Sequence, residues 1–113
     1  MSADPVFDAP YVYLVRFWIH PDSHDRVMRW LEQGHMAEVV AQPGFRWVRR
    51  LRLAQDADDG WTAHMMIYGL DSRQALETYF ASPLPAKFAR ERAPFEHHLR
   101  MDRAWGAVDF QVP

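Results

Sequence analysis

The sequence predicts an α+β domain built in the order βαββαβ. Three observations predict it. Four segments are rich in β-branched and aromatic residues, two helical stretches separate the first from the second and the third from the fourth, and Pro-Gly or Asp-Gly pairs mark the sharpest joints.

Residues 11–19, YVYLVRFWI, read as the first strand. Asp22 or Ser23 serves as a helix N-cap, and the helix runs to about Gln42, where Pro43-Gly44 stops it. Residues 45–53, FRWVRRLRL, alternate and give a second strand. The turn-rich AQDADDG leads into WTAHMMIYG, the third. Asp71 with Gln74 forms a capping box that opens a helix through about Phe80. Ser82-Pro83-Leu84-Pro85 breaks it. A further helical stretch over about 85–99 is kinked near Pro94, and residues 101–110 supply the last strand. The chain therefore divides into an arm at 1–10 and one domain at 11–113, in the ferredoxin-like arrangement with a four-stranded antiparallel sheet.

In that topology strands one and three are central, and both are apolar on two faces. Tyr11, Tyr13, Val15, Phe17 and Ile19 share one face of strand one, with Val12, Leu14 and Trp18 on the other. Strand two is one-sided: Phe45, Trp47, Leu51 and Leu53 oppose Arg46, Arg50 and Arg52, as suits a solvated edge. Two helical layers cannot cover both faces of a sheet when they pack on the same side. The economical cover for the second face is another copy of the chain, so a homodimer enclosing an apolar pocket is expected.

Bulk composition narrows the function. The net charge of −2 and the lack of a basic stripe argue against nucleic acid. No apolar run approaches a membrane span, and the N-terminus lacks a signal-peptide pattern. Without cysteine there is no disulfide, thiolate nucleophile or cysteine metal site, which is compatible with a cytoplasmic location. Five Trp, four Tyr and seven Phe suit either a core of large side chains or a pocket for flat ligands.

GHMAEVVAQPGF followed by RRLR, within residues 34–52, resembles the dimeric α+β barrel superfamily, with the EthD-like and polyketide-cyclase-like branches nearest. The resemblance implies the ferredoxin-like fold and dimerisation. It leaves the reaction open among cyclases, isomerases, lyases, monooxygenases, haem-binding enzymes and proteins of no known activity. Haem-degrading members use an Asn beside a His and a Trp, and this chain has no Asn.

Four residues stand out as candidates for chemistry. At about 100° per residue, Met28, Leu31, His35 and Val39 share one helical arc, so His35 lies in the apolar stripe as a packed histidine or a general acid–base. Its position also matches the motif histidine that the resemblance implies. His64 and Tyr68 share the mixed face of strand three with Thr62 and Met66. The wholly apolar face, Trp61, Ala63, Met65 and Ile67, is assigned to the helices, which points His64 and Tyr68 into the barrel interior. Arg16 interrupts strand one, and is costly to bury unless it pairs with an acid such as Asp109 or neutralises a ligand. Strands one and three being neighbours, Arg16 and His64 are expected on one face, the arginine holding enolate charge while the histidine moves the proton.

Tyr13, Trp18, Trp47 and Met66 are expected to line the apolar wall for a small hydrophobic or aromatic substrate. No cofactor and no metal are expected: His20, His24, His97 and His98 give no convergent three-ligand set, and Glu32 with His35 lacks a second such pair. The leading expectation is a cofactor-free lyase, isomerase or cyclase acting on an aromatic or polyketide-like intermediate. The alternatives are a cofactor-independent monooxygenase and a non-catalytic ligand-binding dimer.

Overall fold

The computed structural model describes residues 8–113, so most of the arm expected at 1–10 lies outside the described residues. Strands β1 (Tyr11–Ile19), β2 (Phe45–Arg52), β3 (Thr62–Leu70) and β4 (Leu99–Ala107) form one antiparallel sheet in the order β2-β3-β1-β4. The expected βαββαβ plan and the central position of β1 and β3 hold. The first crossover contains α1 (His24–Trp30) and α2 (Met36–Val40), and the second contains α3 (Arg73–Ala81) and α4 (Leu84–Arg92).

The first helix is not continuous. A wide π-helical segment, Leu31–His35, joins α1 to α2, and Gly34, the poorest helix former of the stretch, leaves helical dihedrals within it. The interruption keeps the apolar stripe straight. In an unbroken α-helix, Val27 and Val39 would stand about 120° apart around the axis, and one inserted residue returns them to about 20°. Val27, Leu31, His35 and Val39 are accordingly all buried.

Several boundaries differ from the sequence expectation. A 3₁₀ turn, Pro21–Ser23, precedes α1, with the His20 Nδ1 accepting from the Asp22 N–H. Ser72, not Asp71, caps α3 by accepting from the Ala75 N–H, while Asp71 pairs with Arg46 across to β2. The helix expected over 85–99 ends at Arg92. A 3₁₀ segment, Ala93–His98, follows because Pro94 has no N–H to give, and β4 starts and stops earlier than 101–110.

The largest correction concerns the two faces of the sheet. Register pairs Tyr13 with Tyr68, Val15 with Met66 and Phe17 with His64. Directly opposed residues share a face, so the long apolar row of β1 carries His64, Met66 and Tyr68 under the helices with it. The face taken for the helix side, Met65 and Ile67 of β3, lies uncovered with Val12, Leu14 and Trp18 of β1, all partly exposed. The mixed row tolerates burial because its polar atoms are met locally: His64 Nε2 lies 2.9 Å from Thr62 Oγ1, and the Tyr68 hydroxyl donates to Met66 Sδ at 3.6 Å.

A second correction follows from a bulge in β2. Phe45 opposes Leu70 and Trp47 opposes Gly69, leaving Arg46 unpaired between them. Phe45 therefore faces the helices, whereas Trp47 turns to the open face, its indole lying directly over Gly69, where an added Cβ would meet it at 2.3 Å. Arg50 and Arg52 of the β2 edge are ion-paired with Glu32 and Asp56.

Candidate active site

Between the helix-facing side of the sheet and the helices lies a cavity of about 90 Å³. For comparison, an apolar cavity of roughly 150 Å³ takes benzene. The exposed side chains of Phe80 and Arg103 border it and mark its mouth. The wall is mostly aromatic and aliphatic, because β1 sends Tyr13, Val15 and Phe17 to this side and β3 sends Met66 and Tyr68.

The structure brings His35, Tyr13, Met66 and Tyr68 together on that wall. The Tyr13 and Tyr68 rings stack with centroids 5.7 Å apart, and Phe80 meets the Tyr13 ring edge-on at 5.5 Å. His35, placed by the π-helical segment, is sandwiched between Trp30, stacked at 4.1 Å, and the edge of Phe88 at 4.3 Å. Its Nδ1 is buried and has no hydrogen-bond partner among the described residues. Burial above all, then the charge of Arg92, pushes the imidazole pKa down to about 4, so it is neutral at physiological pH, with one ring nitrogen protonated and the other carrying a lone pair. Burial pushes the phenols the other way: Tyr13 and Tyr68 are raised, and Tyr79, also on the wall, is pushed up to about 12. Such phenols remain donors.

Other expected site residues lie elsewhere. Arg16 opposes Met65 and Asp102 on the open face, so it does not share a side with His64. It is half-exposed and pairs with Asp102 at 3.0 Å, not with Asp109, which lies beyond β4. Trp18 and Trp47 also belong to the open face and do not line the cavity. His64 is on the helix side, stacked on Phe17 with centroids 5.1 Å apart, yet outside the cavity wall. Burial first, then Arg52, lowers its pKa to about 4.

Arg92, Arg103, Trp30 and Tyr79 line the cavity and were not singled out by sequence reasoning. Tyr79 and Trp30 carry a signal in their helical spacing, but Arg92 sits in the polar run ARER and Arg103 in MDRAW, where nothing local sets either apart. His20 and His98 stack at 4.1 Å, and Ser23 Oγ lies 2.6 Å from His98 Nδ1. Among the described residues no three His, Cys, Asp or Glu side chains gather as a metal site requires. Nor is any described helix long and apolar enough to cross a membrane.

This arrangement defines a ferredoxin-like α+β domain with a cavity between sheet and helices. The chain belongs to the family described as Domain of unknown function (DUF4286), whose model matches residues 10–103. No curated protein matches it significantly. Among solved structures it is similar to the heme-degrader MhuD from Mycobacterium tuberculosis, with a TM-score of 0.68 and 17% identity over 92% of this chain and 100% of that one. It is similar to SnoaB from Streptomyces nogalater, a cofactor-independent oxygenase, with a TM-score of 0.65 and 18% identity over 93% and 99%. It also resembles a dimeric ferredoxin-like protein from an uncultured marine organism, with a TM-score of 0.61 and 11% identity over 90% and 97%. At these identities the likeness establishes the shared fold.

Proposed function

We propose that the chain is a cofactor-independent oxygenase for a flat aromatic substrate held at the cavity between sheet and helices. The observation that carries this reading is His35: a neutral, buried imidazole with an unbonded Nδ1 on a wall of aromatic rings. Such a group can take a proton from an acidified C–H or O–H of the substrate. The Tyr13 and Tyr79 hydroxyls, kept protonated, are available to steady oxyanion charge, and Tyr68 would join them by giving up its weak bond to Met66 Sδ.

The substrate anion then supplies the electrons for dioxygen. A CH₂ carbon beside a carbonyl becomes a hydroperoxide and loses water to leave C=O, with one oxygen atom in the product and one in water. The fold shared with a cofactor-independent oxygenase favours this outcome over the lyase, isomerase or cyclase reaction, whose first step, proton removal, is the same. The cavity, at about 90 Å³, is smaller than the roughly 150 Å³ that takes benzene, so a ring would enter it part-way and extend through the mouth at Phe80.

The reading includes a homodimer, supported by the uncovered apolar row of Leu14, Trp18, Met65 and Ile67, and a cytoplasmic setting, with which the cysteine-free composition is compatible. The test is oxygen consumption with aryl ketones and phenols bearing an acidic C–H. One O₂ consumed per oxidised product, lost in His35→Ala, supports it. Turnover without oxygen uptake returns the assignment to lyase or isomerase chemistry, and binding without conversion removes the enzyme reading.

A further inference from the structure

The cavity wall carries two guanidinium groups, Arg92 and Arg103, and no carboxylate. Neither arginine forms an ion pair among the described residues, in contrast to Arg16, Arg46, Arg50, Arg52, Arg73 and Arg100. Arg92 ends α4, is half-buried, and stands 6.0 Å from the Trp30 ring centre. Its Nε is buried without a hydrogen-bond partner. Arg103 comes from β4 at the mouth, beside the Tyr13 hydroxyl, and its Nη2 donates to the thioether of Met101 at 3.8 Å, a weak acceptor. Burial first, then the field of Arg103, lowers the Arg92 pKa. Glu96 acts on Arg92 in the opposite sense but does not line the cavity, so two like charges face one opening, an arrangement that an anion between them would relieve.

We propose that Arg92 and Arg103 form a carboxylate clamp, so that the substrate is an aromatic carboxylate whose ring lies against Trp30 and Tyr13 while its anionic group sits between the two guanidiniums. Planar guanidinium forks suit a carboxylate, and the exposed position of Arg103 lets the anionic group stay near the mouth while the ring enters. The inference rests on the cavity being the substrate site. It also couples to the chemistry. The charges acting on His35 are Arg92, Arg103 and Lys87, which lower its pKa, and Glu91, which raises it. A bound carboxylate offsets the arginines and moves the imidazole back toward neutral pH, where a base works best.

Binding of benzoate and of its neutral near-isostere benzamide, measured by calorimetry at neutral pH, tests the clamp. Wild type is expected to favour benzoate by roughly ten-fold or more, and Arg92→Gln and Arg103→Gln to erase that preference while keeping benzamide affinity. Retained benzamide binding also reports an intact cavity in each variant. An NMR titration of the His35 ring should move upward when benzoate is bound. Equal affinity for both probes in wild type overturns the clamp and leaves the oxygenase reading standing. A preference that survives both substitutions also overturns it. Binding of neither probe defeats the clamp and the cavity assignment together.

Discussion

Trp30 lies flat against His35, the ring centroids 4.1 Å apart and the planes 21° from parallel, and its indole N–H donates to Glu91 Oε1 at 2.9 Å. Glu91 in turn pairs with Lys87, so the charges of α4 hold the indole that walls in the imidazole. His35 thereby loses the water that would stabilise its cation.

This burial sets a pH dependence of stability. The His35 pKa falls from the ordinary 6.5 to about 4, and that of His64 does the same. Between those values the unfolded chain binds protons that the native chain refuses, so stability rises with pH across the window. The contribution is complete above about pH 6.5 and is withdrawn as pH falls through 4. For His35 alone the loss amounts to at most about 3 kcal/mol. Urea midpoints measured from pH 7 to pH 4 should fall steadily, and His35→Leu should flatten the curve. An unchanged slope in that variant would contradict the burial argument.

The indole of Trp47 occupies the space above Gly69, with ring atoms 2.3 to 2.7 Å from where a Cβ would stand. Gly69→Ala should therefore displace the ring and cost on the order of 1–3 kcal/mol, the usual penalty of overpacking. Trp47→Leu in the same chain should recover much of that loss, because the clash is between these two positions. A double-mutant cycle by thermal denaturation reads the coupling, and strictly additive losses would show that the ring is not the obstacle.

The uncovered row on β1 and β3 makes dimerisation testable. Leu14 opposes Ile67 across the two central strands, both partly exposed. Leu14→Asp with Ile67→Lys places charges where an apolar partner surface is expected. Sedimentation at micromolar concentration should show a dimer for wild type and a monomer for the variant, with the far-ultraviolet circular dichroism retained. A monomeric wild type would remove the second copy from the account.

Topology was legible in the sequence because it depends on element order and on breaks such as Pro43-Gly44. Placing His35 on the buried stripe followed from helical spacing. The faces of the sheet were not legible for a physical reason. Alternation says which residues share a side within a strand, but register decides which side of β3 joins the long row of β1. That register puts Phe17 opposite His64 rather than Arg16 beside it. The bulge at Arg46 was invisible for the same reason, since one unpaired residue reverses every side chain before it relative to those after it. The two cavity arginines lie more than ten residues from His35 in sequence, and only packing gathers them.

The two buried histidines should separate function from stability. His64 Nε2 is bonded to Thr62 Oγ1, its ring rests on Phe17, and it does not line the cavity. His35 lines it with an unbonded nitrogen. His64→Ala removes a packed ring and a satisfied hydrogen bond, for a loss of roughly 2 kcal/mol in unfolding free energy. Turnover measured well below its melting temperature should stay within roughly two-fold of wild type, since no interaction with the reacting atoms is lost. His35→Gln keeps a polar side chain but supplies no comparable base, and its rate should fall by roughly a hundred-fold or more. Oxygen-electrode rates and chemical denaturation on the same preparations read both effects. A His64→Ala variant that folds normally and has lost turnover would move the proton-transfer role from the helix to the strand.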